Sequence, residues 1–364
     1  MDIFAGIARA VDASVGLRKV HYRLGAIAKV LIVTTFVEDA LRVILSFGVQ
    51  QESMRIAGWD NAALQTALPV LSICVQLVGS LLVVLPSNAG PRAVAGCYVL
   101  LGWCVFHPFM YQQQTNWEFV LETTTIVGGL LVLLSHEQLI INHEKTYQLL
   151  PGGANPKDAL KESANRLQMV GRLLITAIFV YCAPPPPARR RALRCHGRQR
   201  ARPPSPPLRA ADAYLKVHDY APELAAAWKS HDVGTPLVEA VLIVVLLGMI
   251  AFVIVGMKSR ACALLLALWL GGSACYLHPF WVYAFSTETY QPDELPAVVL
   301  PATAAGQEVD AQTMADHQRY SFFQAMSTVG ALVLLVVHGP GNFSMDEQQG
   351  TTETLLKSMA TAND

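Results

Sequence analysis

The residues with the clearest chemical potential form a short charged group inside an apolar segment. Glu38, Asp39 and Arg42 interrupt the run "LIVTTFVEDALRVILSF", which extends from Leu31 to Phe47. Each charge costs about 2.5–3.5 kcal/mol at the centre of a bilayer on insertion scales, so charges that persist there usually mark a functional site. On a helix, Arg42 lies one turn beyond both carboxylates, at i,i+4 from Glu38 and i,i+3 from Asp39. The group therefore carries one surplus negative charge and is suited to bind a cation.

The surplus negative charge can be neutralised or solvated in three ways. A carboxyl can be protonated, water in a lumen-facing cavity can solvate it, or a ligand can supply a positive group such as an α-ammonium. The alternative interpretations of the whole group are a structural clamp between helices and a segment near the membrane interface, where charges cost less. Lys29 is more than two turns away, and we expect its side chain to extend toward the cytosolic headgroups rather than to this group.

Two histidines at matching positions suggest a metal or haem site, but their surroundings favour another interpretation. His107 is followed by "PFMY" and His278 by "PFWVYAF". Aromatic residues are typical of the membrane interface, and a proline after each histidine indicates a helix end near the headgroups. We therefore predict no metal and no cofactor, and keep both histidines as secondary polar candidates.

Other polar residues in or beside apolar runs are isolated from one another. Interhelical hydrogen bonds are the ordinary role of such residues in membrane bundles. They are secondary candidates for a polar site: Gln76, Glu122 and Gln324. The sequence contains no nucleophile with an adjacent base, phosphate loop or zinc motif, so we expect a protein that is not an enzyme. The formal net charge is zero, which gives no indication of nucleic-acid binding.

The elements that position these residues are predicted to be membrane helices. The chain is 53% hydrophobic and only 15% charged, against about 25% charged in soluble domains. Several apolar runs are long enough to cross a hydrocarbon core of about 30 Å. We predict an all-α, polytopic transmembrane helix bundle of about eight spans, arranged as two four-helix repeats. The predicted spans are 27–48, 63–85, 92–111, 117–135, 167–182, 236–256, 261–283 and 320–338.

Basic residues alternate between the connecting segments. The N-terminal arm, the central loop and the turn "GMKSRA" are basic, whereas the segment 286–319 is acidic. By the positive-inside rule this pattern places both termini in the cytosol.

Three sequence matches in the same order indicate an internal duplication. "AKVLIVTTFV" from Ala28 aligns with "GRLLITAIFV" from Gly171, and "TIVGGLLVLL" from Thr125 aligns with "STVGALVLLV" from Ser327. The two His-Pro-Phe motifs supply the third match. We predict an N-terminal four-helix half over 1–150 with a basic cytosolic arm, a C-terminal four-helix half over 151–347, and a cytosolic tail over 348–364. Duplicated halves usually place polar sites between them.

The segment 183–211 interrupts the second half. It contains eight arginines and eight prolines in 29 residues, a composition that does not form a packed element. One interpretation is a basic interaction loop. We favour the other, retained non-coding sequence that interrupts the fifth span.

The most distinctive sequence segment in the chain is "YSFFQAMSTVGALVLLVVHGPGNFSMDE", which begins at Tyr320. An apolar helix, a Gly-Pro-Gly turn and Ser-Met-Asp-Glu resemble the end of the surfeit locus protein 4 family. "TFVEDALR" resembles that family's first-helix motif, and "GRLL" at Gly171 resembles the start of its second half. The resemblance covers 25–182 and 236–347 and omits 183–211.

The resemblance implies a membrane cargo receptor that cycles between endoplasmic reticulum and Golgi. Its expected partners are soluble secretory proteins on the lumenal side, vesicle coat components on the cytosolic side, and the lipid bilayer. The family's usual dilysine tail is missing, since the chain continues "QQGTTETLLKSMATAND" after Glu347. A wider resemblance to bacterial DoxX-like membrane proteins keeps a small-solute or lipid transporter, or a membrane redox partner, as the alternative. The sequence does not indicate an oligomeric state.

Overall fold

A computed structural model describes most of the apolar part of the chain. The described residues are 18–85, 91–115, 117–148, 156–181, 235–285, 289–290 and 309–339, with single positions 6, 10, 341 and 344. The insert 183–211 and the tail 348–364 lie outside the described residues.

The described secondary structure is helical apart from one pair of two-residue strands. The strands are β1 (Thr289–Tyr290) and β2 (Val309–Asp310), which are antiparallel with Thr289 opposite Asp310. The helices are α1 (Arg18–Leu45), α2 (Phe47–Ile56), α3 (Ala62–Val84), α4 (Pro91–Met110), α5 (Trp117–Gln148), α6 (Pro156–Tyr181), α7 (Thr235–Val255), α8 (Ser259–Leu277), α9 (Phe280–Tyr283) and α10 (Ala311–His338).

The predicted all-α membrane bundle is confirmed, and each predicted span overlaps a described helix. Among the described residues, five segments are long and apolar enough to cross a membrane. They are Ala62–Val84, Pro91–Met110, Phe119–Ile141, Ser259–Tyr283 and Ala311–His338. The total of eight stays a prediction, because α1 and α6 carry more charge than these five, and α7 contributes a shorter apolar stretch, Val244–Val255.

Several predicted boundaries are wrong because polar turns continue the helices beyond the apolar runs. Helix α5 extends to Gln148 rather than to 135, and α10 begins at Ala311 rather than at 320. Helix α1 begins at Arg18 and ends at Leu45, followed by a break at Ser46 and the short helix α2. Glu38, Asp39 and Arg42 therefore lie within the last eight residues of α1, shortly before this break.

The chain divides into two compact units. One comprises Met1–Thr176, Ala251–Gly271 and Phe323–Asp364, and the other comprises Ala177–Ile250 and Gly272–Phe322. In the first unit, α3 packs against both α1 and α4, and α4 packs against α5. The division into halves at 150 stays a prediction.

Two close helix crossings in the first unit use matching positions of the sequence repeat. A Cβ atom at Gly128 of α5 would lie 2.8 Å from the Gly171 carbonyl oxygen and 2.7 Å from the Ile175 nitrogen of α6. A Cβ atom at Gly330 of α10 would lie 2.9 Å from the Ala28 carbonyl oxygen and 2.8 Å from the Ile32 nitrogen of α1. The sequence alignment pairs Gly128 with Gly330, Gly171 with Ala28 and Ile175 with Ile32. The two crossings are therefore equivalent, atom for atom.

Helices α5 and α10 also contact each other at positions that the alignment makes equivalent. A Cβ atom at Gly129 would lie 3.1 Å from Cβ of Ala331. Seven residues further along each helix, the rings of His136 and His338 stack with centroids 3.4 Å apart. Contacts between equivalent positions are what an internal two-fold axis produces. The first unit is thus built around a pseudo-two-fold crossing of α5 and α10.

Candidate functional site

Asp39 of α1 is the centre of a buried polar cluster that joins α1 to α3. Its Oδ1 accepts a hydrogen bond from Nη2 of Arg42, and its Oδ2 accepts one from Nε2 of Gln76 at 2.8 Å. The same Gln76 nitrogen lies 2.8 Å from Oγ of Ser72, one turn earlier on α3. Both carboxylate oxygens are therefore satisfied, as a buried charge requires. We call Glu38, Asp39, Arg42, Ser72 and Gln76 the α1–α3 cluster.

The helical period explains how these side chains come together. Asp39 and Arg42 are three residues apart on α1, while Ser72 and Gln76 are four apart on α3, so each pair lies on one helix face. Helix α3 starts after Asn61, whose side-chain oxygen accepts a hydrogen bond from the Ala63 nitrogen at 2.9 Å and so satisfies a donor of the first turn. Gln76 is 1% exposed and Ser72 is fully buried. The cluster is consequently part of the helix interface, not of its outer surface.

Three side chains of the cluster carry a formal charge. Glu38 and Asp39 are both buried, and Arg42 interacts electrostatically with both of them. Gln76 and Ser72 add hydrogen bonds but no charge. Among the described residues, His107 of α4 also interacts electrostatically with Asp39 and Arg42. With His107 neutral, the formal charges of Glu38, Asp39 and Arg42 sum to one negative charge, and whether this surplus is left uncompensated stays a prediction.

His107 is held by aromatic rings. Its ring centroid lies 5.4 Å from that of Trp103, 4.9 Å from that of Tyr111 and 5.3 Å from that of Phe119. Its Nε2 has no hydrogen-bond partner in the described part of the chain. A buried imidazole nitrogen beside a carboxylate can accept or donate a proton, which would change the net charge of the cluster.

A polar layer closes the same end of the helices. Tyr111 donates from its hydroxyl to Oε1 of Gln50 on α2 at 2.9 Å. Trp59 donates from Nε1 to the Met110 carbonyl oxygen at 2.9 Å, and Gln65 donates to the Trp59 carbonyl oxygen at 2.7 Å. Helix α2 and the following turn are thus fixed against the end of α4, close to the α1–α3 cluster.

The structure brings together only some of the residues that the sequence singles out. Glu38, Asp39, Arg42, Gln76 and His107 meet in the first unit. Sequence reasoning missed Ser72 and the polar layer, because their partners are distant in the chain and the residue types are common.

The remaining candidates lie on other helices. Glu122 of α5 and Gln324 of α10 occupy matching positions of the repeat. Each lies seven residues before the position at which the two helices touch, Gly129 in α5 and Ala331 in α10. His278 belongs to the second unit, where its Nδ1 lies 2.7 Å from Oε1 of Gln318. No group of three His, Cys, Asp or Glu side chains able to hold a metal occurs within the described residues.

Lys29 has a partner that the sequence did not predict. Its Nζ lies 2.5 Å from Oε1 of Glu137 on α5, while its extension toward the cytosolic headgroups stays a prediction. Glu137 is buried, so the pair is a tertiary ion pair between α1 and α5. The sequence "SHEQ" at the end of an apolar run carried the only indication of this partner.

Comparison with known proteins decides the family. The family model described as "SURF4 family" matches residues 5–183 and 307–351, which together make up more than half of the chain. This chain belongs to the SURF4 family. The match includes the α1–α3 cluster and the Gly-Pro-Gly turn, and it omits 184–306.

Individual relatives extend over most of the chain at low identity. The Surfeit locus protein 4 homolog of Schizosaccharomyces pombe is 25% identical over 89% of this chain and 80% of its own length. The Surfeit locus protein 4 homolog of Drosophila melanogaster is 21% identical over 90% of both chains. ER-derived vesicles protein ERV29 of Saccharomyces cerevisiae is 21% identical over 89% of this chain and 76% of its own. No solved structure matches the chain significantly. This SURF4-family protein is therefore a multi-pass membrane protein of the secretory pathway.

Proposed function

We propose that this SURF4-family protein is a cargo receptor that binds soluble secretory proteins on the lumenal side and packages them into vesicles leaving the endoplasmic reticulum. Membership of the SURF4 family supports the proposal, as does the name of one relative, the ER-derived vesicles protein ERV29. The receptor binds and releases its cargo without a catalytic step. Its cytosolic turns and tail meet vesicle coat components.

The α1–α3 cluster is the proposed recognition site. It combines two buried carboxylates with one guanidinium, and it lies at the end of α1 that the predicted topology places toward the lumen. A cationic group on the cargo would neutralise the surplus charge. The α-ammonium of a mature secretory protein is such a group, because it is compact, carries three donors and is created at the lumenal face when a leader is removed.

The experiment that tests the function follows soluble cargo directly. Deleting the gene should slow the exit of a subset of soluble secretory proteins from the endoplasmic reticulum several-fold. Vesicles budded from the isolated membranes should lose the same proteins, as quantified by mass spectrometry. Membrane-anchored cargo is the control and should leave at the normal rate. Unchanged soluble contents in the vesicles would contradict the proposal.

A lumenal recognition site requires a defined topology, which is a separate prediction. With both termini in the cytosol, a glycosylation acceptor introduced near Asp310 should be modified, and one introduced near Ala360 should not. The measurement is the shift in gel mobility that endoglycosidase treatment removes. Modification near Ala360 would contradict the eight-span arrangement with both termini in the cytosol.

A further inference from the structure

Arg172 of α6 is a buried cation whose hydrogen-bonding groups are incompletely satisfied. The residue is 1% exposed and is the largest of the fully buried side chains. Its Nε and Nη1 make no hydrogen bond within the part of the chain that the structure describes. Burial removes the water that would otherwise solvate a guanidinium, so such a group normally lies beside an anion. Two of the Arg172 nitrogens therefore need an acceptor that the described residues do not supply.

The other half of the repeat shows what kind of partner is missing. Arg172 is the counterpart of Lys29 in the first of the three alignments. Lys29 of α1 pairs with the buried carboxylate of Glu137 on α5. The position of the second half that corresponds to Glu137 is Gly339, which has no side chain. Of two equivalent cations, one is therefore paired with a carboxylate at this position and the other is not.

The missing carboxylate is not a matter of distance, because α6 meets the end of α10 at this position. Gln168, one turn before Arg172, donates from Nε2 to the Gly339 carbonyl oxygen at 2.6 Å. Gly339 has a φ of +73°, a left-handed conformation that favours glycine at the end of a helix. Helix α10 thus ends where α5 carries Glu137, and this position leaves an anionic group to be supplied from elsewhere.

The turn between α7 and α8 borders the Arg172 guanidinium. Gly256 in this turn has a φ of +76°, and a Cβ atom there would lie 2.8 Å from Nη1 of Arg172. Ser344 lies against the same position. The turn continues with two more basic residues, Lys258 and Arg260. All five residues belong to the first unit, so Arg172 lies at a junction with a basic turn.

The predicted topology places this junction at the level of the cytosolic headgroups. The basic turn, the end of α10 and the start of the fifth predicted span all lie toward the cytosol when both termini are cytosolic. The cytosolic leaflet carries anionic lipids, and basic pockets between helices at this level bind phosphate-bearing headgroups. A phosphate also matches the fork of N–H donors of a guanidinium, which can engage two of its oxygens.

We propose that Arg172 is the centre of a phosphate-binding site at the junction of α6, the α7–α8 turn and the end of α10. The phosphate takes the place that the Glu137 carboxylate has beside Lys29 in the other half of the repeat. Lys258 and Arg260 add positive charge to the same end of the helices. The recognition chemistry is the same for the headgroup of an anionic phospholipid and for a soluble phosphate. This inference does not depend on cargo binding.

Stabilisation by a ligand tests the site in the full-length protein. In detergent solution, dioleoyl phosphatidic acid should raise the midpoint of thermal unfolding by several degrees, because a ligand that binds the folded state stabilises it. Dioleoylglycerol, which has the same tails and no phosphate, should not raise the midpoint. Arg172→Gln should abolish the rise. Arg166→Gln is the matched control and should keep it, since Arg166 of α6 is exposed and pairs with Glu162.

Inorganic phosphate, compared with chloride at equal ionic strength, distinguishes the two sources. A rise with phosphate that Arg172→Gln abolishes assigns the site to a soluble phosphate, whereas a rise with phosphatidic acid alone assigns it to a lipid. Arg172→Lys is a second variant that keeps the charge but not the fork of donors, and it should show a smaller rise than the wild type. The proposal is overturned if neither probe raises the midpoint of the wild type, or if both Arg172 variants keep the full rise.

Discussion

Replacing Gly330 with leucine should remove most of the folded protein from the membrane, and Gly128→Leu should do the same. At each position even a Cβ atom would lie within 2.9 Å of backbone atoms of the neighbouring helix. These atoms cannot rotate away as a side chain can, so helices α10 and α1, or α5 and α6, would have to separate. Overpacking typically costs about 1–3 kcal/mol, and a rigid backbone contact belongs at the upper end or beyond.

The measurement is the yield of monodisperse, detergent-solubilised protein by fluorescence-detected size exclusion. Gly102→Leu is the matched control, since a Cβ atom at this helical glycine of α4 would meet nothing within 4 Å. It should retain nearly normal yield. Normal yields from Gly128→Leu and Gly330→Leu would show that the two equivalent crossings are not close packed.

Arg42→Met should produce the second large effect, a strong loss of stability. The substitution keeps an apolar stem of similar length but leaves Asp39 and Glu38 buried without their guanidinium. Removing one partner of a buried ion pair typically costs about 3–5 kcal/mol, because the remaining charge is uncompensated. The midpoint of thermal unfolding in nanodiscs should therefore fall by many degrees.

The chain contains a matched surface pair that serves as the control. Arg55 and Glu52 of α2 have the same i,i+3 spacing and also bond to each other, but both are exposed. Their attraction is screened by solvent, so Arg55→Met should change the midpoint little. Equal effects of Arg42→Met and Arg55→Met would mean that the α1–α3 cluster is solvated and not a buried site.

Hydropathy predicts the helices of this protein well because a bilayer leaves the backbone few alternatives to helix. Hydropathy does not determine where a helix ends. Polar residues can continue a helix beyond its apolar run, as in the first turns of α10, or accompany a local break in it, as at Ser46 between α1 and α2. The break at Ser46 lies four residues after Arg42, so the charged group is near the end of α1.

The sequence predicts the part of the candidate site that lies within a single helix. Asp39 and Arg42 are neighbours on one helix, so their pairing follows from the sequence. Contacts between helices do not follow in this way. Gln76 was identifiable as a polar residue in an apolar run, but its bond to Asp39 depends on the rotation of α3. Lys29 was assigned to the headgroups because Glu137, more than a hundred residues later, gave no local indication of its role.

The repeat was more informative than any single residue. Three short alignments predicted which positions are equivalent, and two of these alignments correspond to helix crossings with the same atoms in contact. The comparison also reveals where the equivalence fails, because the position that corresponds to Glu137 is Gly339, which has no side chain.

Export of a soluble secretory protein in cells that carry Asp39→Asn or Glu38→Gln tests the central claim most directly. Each substitution removes one carboxylate charge while keeping its shape, so the surplus negative charge of the α1–α3 cluster disappears. Membrane abundance is measured in parallel, and Glu52→Gln, which neutralises an exposed carboxylate on α2, is the control. A recognition site for a cationic group predicts normal abundance with export slowed several-fold for the cluster variants and unchanged for the control. Normal export at normal abundance in both cluster variants would contradict the account and would leave the cluster as a clamp between α1 and α3.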